Sequence, residues 1–346
     1  MHRFDYFFLK KDIPGSFLQT TALIHDLRAR EEIRKKANSG MFDTLKQAAM
    51  IDSVRASNEI EGIVTTKNRL QDMLKKDLPP QTHDEQEIAG YRDVLREIYD
   101  SYEEMELSEN LIRHFHEQLL FSTSAEAGHY KTEDNYIRQV DHDGSTHIRF
   151  VPVPARETDS AMEQMLAAYR EARQEADINR MLLDCCLILD FLCIHPFTDG
   201  NGRVSRLLTS FLFLRNQFDV GRFVSIDKMI KAYLPGYYEA LFHSSNGWHE
   251  NQNSYIPFLT FMLQILYRCY KTLDQKFVEE SIHSMPKAKQ VAYLLQNSFV
   301  PVSKEDIKTR LPDISITTIE RVLGRMVKDG SVEKIGTFRN ARYRGR

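Results

Sequence analysis

The sequence contains His195-Pro196-Phe197-Thr198-Asp199-Gly200-Asn201-Gly202-Arg203-Val204-Ser205-Arg206 between two apolar segments. Two glycines flank Asn201 where the second apolar segment begins, so backbone N–H groups can point outward without a Cβ in the way. A helix N-terminus carries partial positive charge and unpaired N–H donors. The pattern therefore predicts a helix–loop–helix unit with an anion site at the start of its second helix.

The side chains of this loop suit the transfer of a phosphorus-containing group. Arg203 and Arg206 can each grip phosphate oxygens with a planar fork. Asp199 offers a hard oxygen ligand for Mg²⁺ beside those phosphates. His195, whose ordinary pKa is near 6.5, can take a proton from an incoming hydroxyl. Singly, each residue also fits a structural role in a helix corner; together they favour phosphoryl or nucleotidyl transfer.

Around this loop the patterns predict a mostly α-helical chain. A β-hairpin is predicted from its alternating residues, its Asp141–Gly144 turn and the prolines that end it. The predicted helices cover 33–51, 85–102, 111–120 behind a Ser108 cap, 158–174 and 179–194, and the hairpin strands cover 136–140 and 147–151.

The C-terminal part differs in charge. From Pro286 to Arg346 there are 13 Lys/Arg and 6 Asp/Glu, a net charge of +7 in a chain whose net charge is −3. This shift predicts a domain boundary near residue 280. Helices over 286–297, 303–311 and 315–328, then strands over 332–335 and 341–344, resemble a winged helix-turn-helix. Such a domain contacts DNA or docks and dimerises with protein; the DNA contacts would come from Thr317, Thr318, Arg321, Arg325, Arg339 and Arg342.

The composition is that of a soluble globular protein, with 42% apolar and 27% charged residues. The first residues carry scattered charges, so we expect no secretory signal. The longest apolar stretch, Met181 to Ile194, contains Asp184 and Asp190 and is shorter than a membrane span. The four cysteines lack metal-site spacing, so we expect reduced, buried thiols and a cytoplasmic protein.

The loop resembles the signature HPFx(D/E)GNGRxxR of the Fic family at every defined position. The resemblance implies a Fic-type helical core with a β-hairpin flap, here over 106–280, preceded by a helical region over 1–105 and followed by the winged-helix-like domain over 285–346. Gly202 stands where Doc-like kinases carry lysine, so the sequence is most similar to the adenylylating branch.

What this resemblance implies is a protein adenylyltransferase. A Tyr, Ser or Thr hydroxyl of a target protein, or of the chain itself, would attack the α-phosphorus of ATP. His195 would be the base, and Asp199 would hold Mg²⁺ or Mn²⁺. Phosphate contacts would come from Gly200, Asn201, Gly202, Arg203 and Arg206. The flap would dock the target through Ile148, Arg149, Phe150 and Val151, and Tyr238 would line the adenine pocket.

A second motif, Ser57-Asn58-Glu59-Ile60-Glu61-Gly62, resembles the inhibitory motif (S/T)xxxE(G/N) of the same family. Ser57 and Glu61 are four residues apart and share a helix face. Gly62 suits the left-handed position that ends a helix. The resemblance implies that Glu61 pairs with Arg206 and occupies the place of the ATP γ-phosphate.

Several alternatives stay open. The chain could remove AMP from modified proteins, or catalyse both directions. It could instead be a DNA-binding regulator whose core only senses nucleotide. A different donor, such as UTP or CDP-choline, is compatible with a loop that recognises phosphates, and the resemblance suggests a homodimer. His114 and His116 are interpreted as plain helix residues, and Gly128-His129-Tyr130-Lys131, similar to a GxYR turn of the family, is given no role.

Overall fold

The computed structural model describes residues 2–11, 13–140, 145–296, 298, 300–337 and 341–345, which are mostly helical. The predicted fold class is confirmed. The chain divides into two compact units, residues 1–273 and 274–346. No helix among the described residues is long and apolar enough to cross a membrane.

The first unit begins with five helices. They are α1 (Gly15–Ala37), α2 (Ser39–Ile60), α3 (Lys67–Lys75), α4 (His83–Ser101) and α5 (Glu109–Leu120). The Ser108 cap of α5 is confirmed, because its side chain accepts from Leu111 N. The helix predicted over 33–51 is interrupted at Asn38, whose φ of −139° and ψ of 49° leave the helical region. Asparagine side chains compete with helical hydrogen bonds, which explains the break.

A hairpin and six further helices follow. They are β1 (Ile137–Val140), β2 (Thr146–Phe150), α6 (Thr158–Gln174), α7 (Arg180–Ile194), α8 (Asn201–Arg215), α9 (Ile226–Ala232), α10 (Leu234–Ser245) and α11 (Ile256–Ser284). The strands β1 and β2 are antiparallel, as predicted, and their turn residues 141–144 lie outside the described residues. Helix α7 packs against α6 and α8, and every side chain from Met181 to Ile194 is buried.

The two aspartates of α7 are buried because each is hydrogen-bonded. Asp184 accepts from Tyr169 and Asn216, and Asp190 accepts from Tyr6, Trp248 and Tyr255. A buried carboxylate without such donors would be strongly unfavourable. Loss of hydration raises the pKa of both aspartates to about 7. All four cysteines are buried free thiols, as expected.

The second unit contains α12 (Lys287–Gln296), β3 (Val302–Ser303), α13 (Lys304–Arg310), α14 (Ile316–Lys328), β4 (Val332–Ile335) and β5 (Arg342–Gly345). Its antiparallel sheet has the order β3-β5-β4. The two-residue strand β3 was not predicted. The apolar face predicted for α14 is confirmed, and it contributes Ile319, Val322, Leu323 and Met326 to the core of this unit.

Candidate active site

His195 is the residue that ends α7, and its backbone is left-handed with φ of 52° and ψ of 60°. Its Nδ1 lies 3.2 Å from Leu192 O. A carbonyl oxygen only accepts, so Nδ1 carries the hydrogen and Nε2 has the free lone pair. Burial lowers the pKa of His195 to about 4. The ring is therefore a neutral proton acceptor at neutral pH.

The loop after His195 is fixed by side chains that bind its backbone. Asn201 accepts from Phe197 N (3.0 Å) and donates to Phe197 O (2.7 Å). The Phe197 ring is fully buried, with its centroid 3.8 Å from that of His116. Gly200 has φ of 78°, a conformation that glycine adopts without strain. These contacts hold the N-terminus of α8 in one place.

His116 has a larger role than the sequence indicated. Its Nε2 donates to Asp199 O at 3.1 Å, and its Nδ1 accepts from Gly128 N at 2.9 Å. Its ring stacks flat on Phe197. Burial lowers the pKa of His116 to about 4. The interpretation as a plain helix residue is thus wrong, because His116 supports the loop on one side.

Arg203 is buried, and it pairs with Glu87 of α4. Its second guanidinium nitrogen lies 3.5 Å from Asp199 Oδ2. The pairing with Glu87 was not foreseen, since 116 residues separate the two. A buried cation needs such a partner. Arg203 therefore adds positive charge near Asp199, and its ion pair with Glu87 of α4 fixes the position of its guanidinium.

Arg206 is held by helix α2. Its Nε donates to Ser57 Oγ at 2.7 Å, and its Nη2 donates to Ser57 O at 2.9 Å and to Glu61 Oε1 at 2.8 Å. The guanidinium is 3% exposed, whereas the Glu61 side chain is 36% exposed. Helix α2 ends as the sequence predicted, with Gly62 at φ of 80°.

The Glu61 carboxylate also lies against Gly202. A Cβ placed on Gly202 would collide with Glu61 Oε1. A side chain at position 202 would therefore have to push the Glu61 carboxylate away from its place. The sequence motifs around 57–62 and 195–206 meet at the start of α8, although 145 residues separate Glu61 from Arg206.

A further carboxylate lies near Arg206. Asp227 Oδ1, in the first turn of α9, lies 4.0 Å from Arg206 Nε and accepts from the Tyr91 hydroxyl at 3.3 Å. Burial raises the pKa of Asp227 to about 6, although Arg206 opposes the rise. No sequence pattern indicated this residue, apart from its polar position two residues after Ser225, which caps the helix.

The hairpin contacts α10 through Arg149, which donates to Tyr238 O and lies over the Tyr238 ring at 5.4 Å. Tyr238 is 38% exposed, so its ring is open to solvent on one side. Val151 O accepts from His249 Nε2, and Phe150 stacks on the same His249 ring. The four predicted flap residues line a cavity of about 250 Å³ together with Phe242, Trp248 and neighbouring residues of 245–250.

Asp199 is the one predicted metal ligand. Its side chain is 76% exposed, and its Oδ1 accepts from Gly200 N at 2.6 Å. Within the described part of the chain, no group of three His, Cys, Asp or Glu residues could hold a metal ion. Mg²⁺ commonly binds one or two carboxylates together with substrate phosphates. The exposed carboxylate fits that mode and does not fit a metal held by protein alone.

Comparison with known proteins supports the mostly helical fold. Residues 106–213 match the model of the Fic/DOC family. A Fic family protein from Desulfovibrio desulfuricans G20 is similar over 97% of this chain and 98% of its own, with a TM-score of 0.64 and 19% identity. A Fic domain containing signaling protein from Bacteroides thetaiotaomicron VPI-5482 is similar over 72% and 95%, with a TM-score of 0.59 and 20% identity.

Fic-1 (residues 134–508) from C. elegans is similar over 75% of this chain and 71% of its own, with a TM-score of 0.57 and 20% identity. At such identities the likeness concerns the fold. No curated protein matches the chain.

Proposed function

Because residues 106–213 belong to the Fic/DOC family, we propose that this chain is a transferase that moves AMP from ATP to a hydroxyl group of a protein. The observation that carries the proposal is the hydrogen bond from His195 Nδ1 to Leu192 O, which leaves Nε2 of this neutral ring free in the loop before α8. A base with a free Nε2 beside a helix N-terminus is what a hydroxyl attack on a bound phosphate requires.

In the proposed reaction, His195 Nε2 takes the proton of a Tyr, Ser or Thr hydroxyl. The hydroxyl oxygen bonds to the α-phosphorus of ATP, the bond to the bridging oxygen breaks, and diphosphate leaves. The backbone amides of Gly200, Asn201 and Gly202 and the cations Arg203 and Arg206 stabilise the phosphate charge. Asp199 would hold Mg²⁺ or Mn²⁺, which neutralises phosphate charge when bound.

We further propose that Glu61 inhibits the transfer. Its carboxylate occupies one donor of Arg206 and the space over Gly202. A γ-phosphate that needs the same donor has to displace it. Helix α2 is tied to α9 by Ser53 and Ser225 at 2.8 Å, and by the ion pair of Asp52 with Lys228. These contacts keep Glu61 near Arg206. Removal of AMP from a modified protein would be a hydrolysis, in which Glu61 would position the attacking water and AMP would leave from the protein oxygen.

The proposal is tested by giving α-³²P-labelled and γ-³²P-labelled ATP, in parallel, to the Glu61→Gly protein with Mg²⁺. Label on protein from the α-position alone is expected. The matched control is the Glu61→Gly, His195→Ala protein, which should bind ATP and stay unlabelled. Label from the γ-position would mean phosphoryl transfer and would overturn the assignment. If neither label transfers, UTP and CDP-choline are the donors to try next.

A second candidate function is favoured by the surface of the second unit, whose predicted winged-helix-like arrangement could contact duplex DNA. Arg321, Arg325 and Lys328 are exposed on α14, and Thr317 is exposed near its N-terminus. Arg342 is exposed on β5, while Arg339 lies outside the described residues. Clustered cations on one helix are the electrostatic footprint of phosphate contacts.

This candidate is tested with the full chain and a random-sequence fluorescent duplex. Binding should weaken steeply between about 50 and 200 mM salt, as counterion release requires. An Arg321→Gln, Arg325→Gln protein should lose most of that binding. A parent chain that leaves the anisotropy unchanged at low salt would overturn this candidate function.

A further inference from the structure

The segment that leads into β1 binds the backbone on both sides of His195. Lys131 donates from Nζ to Ile194 O at 3.2 Å and from its own N–H to Pro196 O at 2.8 Å. Asn135 donates from Nδ2 to His195 O at 3.3 Å and to Phe197 O at 3.0 Å. Two residues therefore satisfy four consecutive carbonyls, those of residues 194–197.

These four hydrogen bonds pair the carbonyls at the end of α7 and stabilise the left-handed backbone of His195. The last carbonyls of a helix have no partner within the helix, and a lysine near the C-terminus can supply one. The left-handed conformation of His195, with φ of 52°, is unfavourable for a residue with a Cβ. It persists because its surroundings determine it. Lys131 and Asn135 are also joined, at 2.7 Å from Nζ to Oδ1.

The same lysine brings its charge to the carbonyl of Ile194, the residue before His195. Lys131 is 4% exposed, and burial lowers its pKa to about 8, with Asp134 acting in the opposite direction. Three charged groups act on His195: Lys131 lowers its pKa, whereas Glu61 and Asp199 raise it. The charge of Lys131 thus counteracts the effect of the Glu61 and Asp199 carboxylates on the pKa of His195.

We propose that Lys131 and Asn135 are positioning residues for His195. Both bind the backbone around His195 by hydrogen bonds, and the charge of Lys131 also favours the neutral form of the His195 ring. The proposal rests on His195 as the base of the proposed transfer. Because Asn135 lies two residues before β1, the segment that starts the target-docking hairpin is also the one that orients the base. The burial of Lys131 is therefore explained by the hydrogen bonds of its Nζ to Ile194 O and Asn135 Oδ1.

The test separates charge from hydrogen bonding with two variants. Lys131→Gln keeps a donor near Ile194 O and removes the charge, whereas Asn135→Leu removes two hydrogen bonds and keeps the charge. The pKa of the His195 ring is measured by NMR on the full-length histidine-labelled chain, with His195→Gln to assign the signal. Neither ATP nor a target is needed, so the result is independent of the proposed function.

Lys131→Gln is expected to raise the pKa of His195, Lys131→Arg to keep it near the parent value, and Asn135→Leu to leave it unchanged. In the Glu61→Gly background, Asn135→Leu should lower the transfer rate on the order of 10²-fold, the cost of a misplaced catalytic group. Lys131→Gln should move the acidic limb of the pH–rate profile upward, and Lys131→Arg should restore it.

An unchanged His195 pKa in Lys131→Gln would overturn the electrostatic role. Full transfer by Asn135→Leu would overturn the positioning role. If Lys131→Gln does not fold, Lys131→Arg decides, because a His195 pKa near the parent value supports the role of the charge and a changed pKa in the folded Lys131→Arg protein overturns it. If the Glu61→Gly parent itself transfers nothing, the proposed function fails while the ring titration still stands.

Discussion

Replacing Glu61 by alanine removes one hydrogen bond and little else from the folded chain. Its Oε1 is 2.8 Å from Arg206 Nη2, and the residue is the C-cap that follows α2, directly before Gly62. Arg206 keeps its two bonds to Ser57 and its neighbour Asp227. The substitution should therefore free one donor of a guanidinium that stays in place, and the γ-phosphate of ATP should gain it.

The size of the effect follows from the exposure of the pair. Hydrogen bonds to charged groups contribute about 1.5 to 3 kcal/mol. Because the Glu61 side chain is 36% exposed, solvent screening reduces the loss to about 1 to 2 kcal/mol. A difference of that size corresponds to about 5- to 30-fold in an equilibrium. We expect the rate of AMP transfer at limiting ATP to rise by that factor.

The assay is transfer from α-³²P-labelled ATP by the parent, Glu61→Ala and Glu59→Ala proteins. Glu59 is the matched control, since it lies on the same helix but pairs with Lys231 on the surface. Surface pairs contribute about 0 to 1 kcal/mol, so Glu59→Ala should change the rate by about fivefold at most. Equal rates for the Glu61→Ala protein and the parent, with both folded, would refute the inhibitory role.

Two further predictions concern residues that hold the site. His116→Leu leaves Gly128 N without its acceptor and should lower the free energy of unfolding by about 1 to 3 kcal/mol, measured by urea denaturation. Burial lowers the pKa of His116 to about 4, so the unfolded chain binds more protons than the folded chain between about pH 4 and 6.5. The difference in free energy of unfolding between the parent and His116→Leu should therefore shrink as the pH falls through that window. A difference that stays constant with pH would contradict this. Arg206→Lys in the Glu61→Ala background loses the planar fork and should raise the KM for ATP by about 10- to 100-fold, as fitted from initial rates, whereas an unchanged KM would separate Arg206 from the nucleotide.

The parts of the fold that sequence patterns predicted are those set by neighbours along the chain. The apolar stripe of α14, the Ser108 cap and the loop between α7 and α8 all depend on residues within one or two turns. The break at Asn38 was missed because its cause is a single residue inside a helical composition. The strand β3 was missed because two residues carry no periodicity.

The partners of the site residues were harder to predict, because helical periodicity does not say which helices face each other. The pairs Arg203 with Glu87 and Arg206 with Asp227 join separate helices. The contact of Lys131 with Ile194 O spans 63 residues. The pairing of Glu61 with Arg206 was foreseen only through a family motif, and its observed geometry agrees with that expectation.

Helix α2 contributes two kinds of contact to Arg206, and they differ in mobility. Ser57 is fully buried and binds through its backbone carbonyl as well as its hydroxyl, so its contacts persist for as long as the helix is packed. Glu61 follows the last helical residue and reaches Arg206 through rotatable bonds at a partly exposed position. If Glu61 inhibits the transfer as proposed, moving its carboxylate away from Arg206 requires a rotamer change, which exposed side chains make within nanoseconds, and no unfolding of the helix. On that proposal, the inhibited and the active chain differ in the rotamer of Glu61, and α2 stays packed in both.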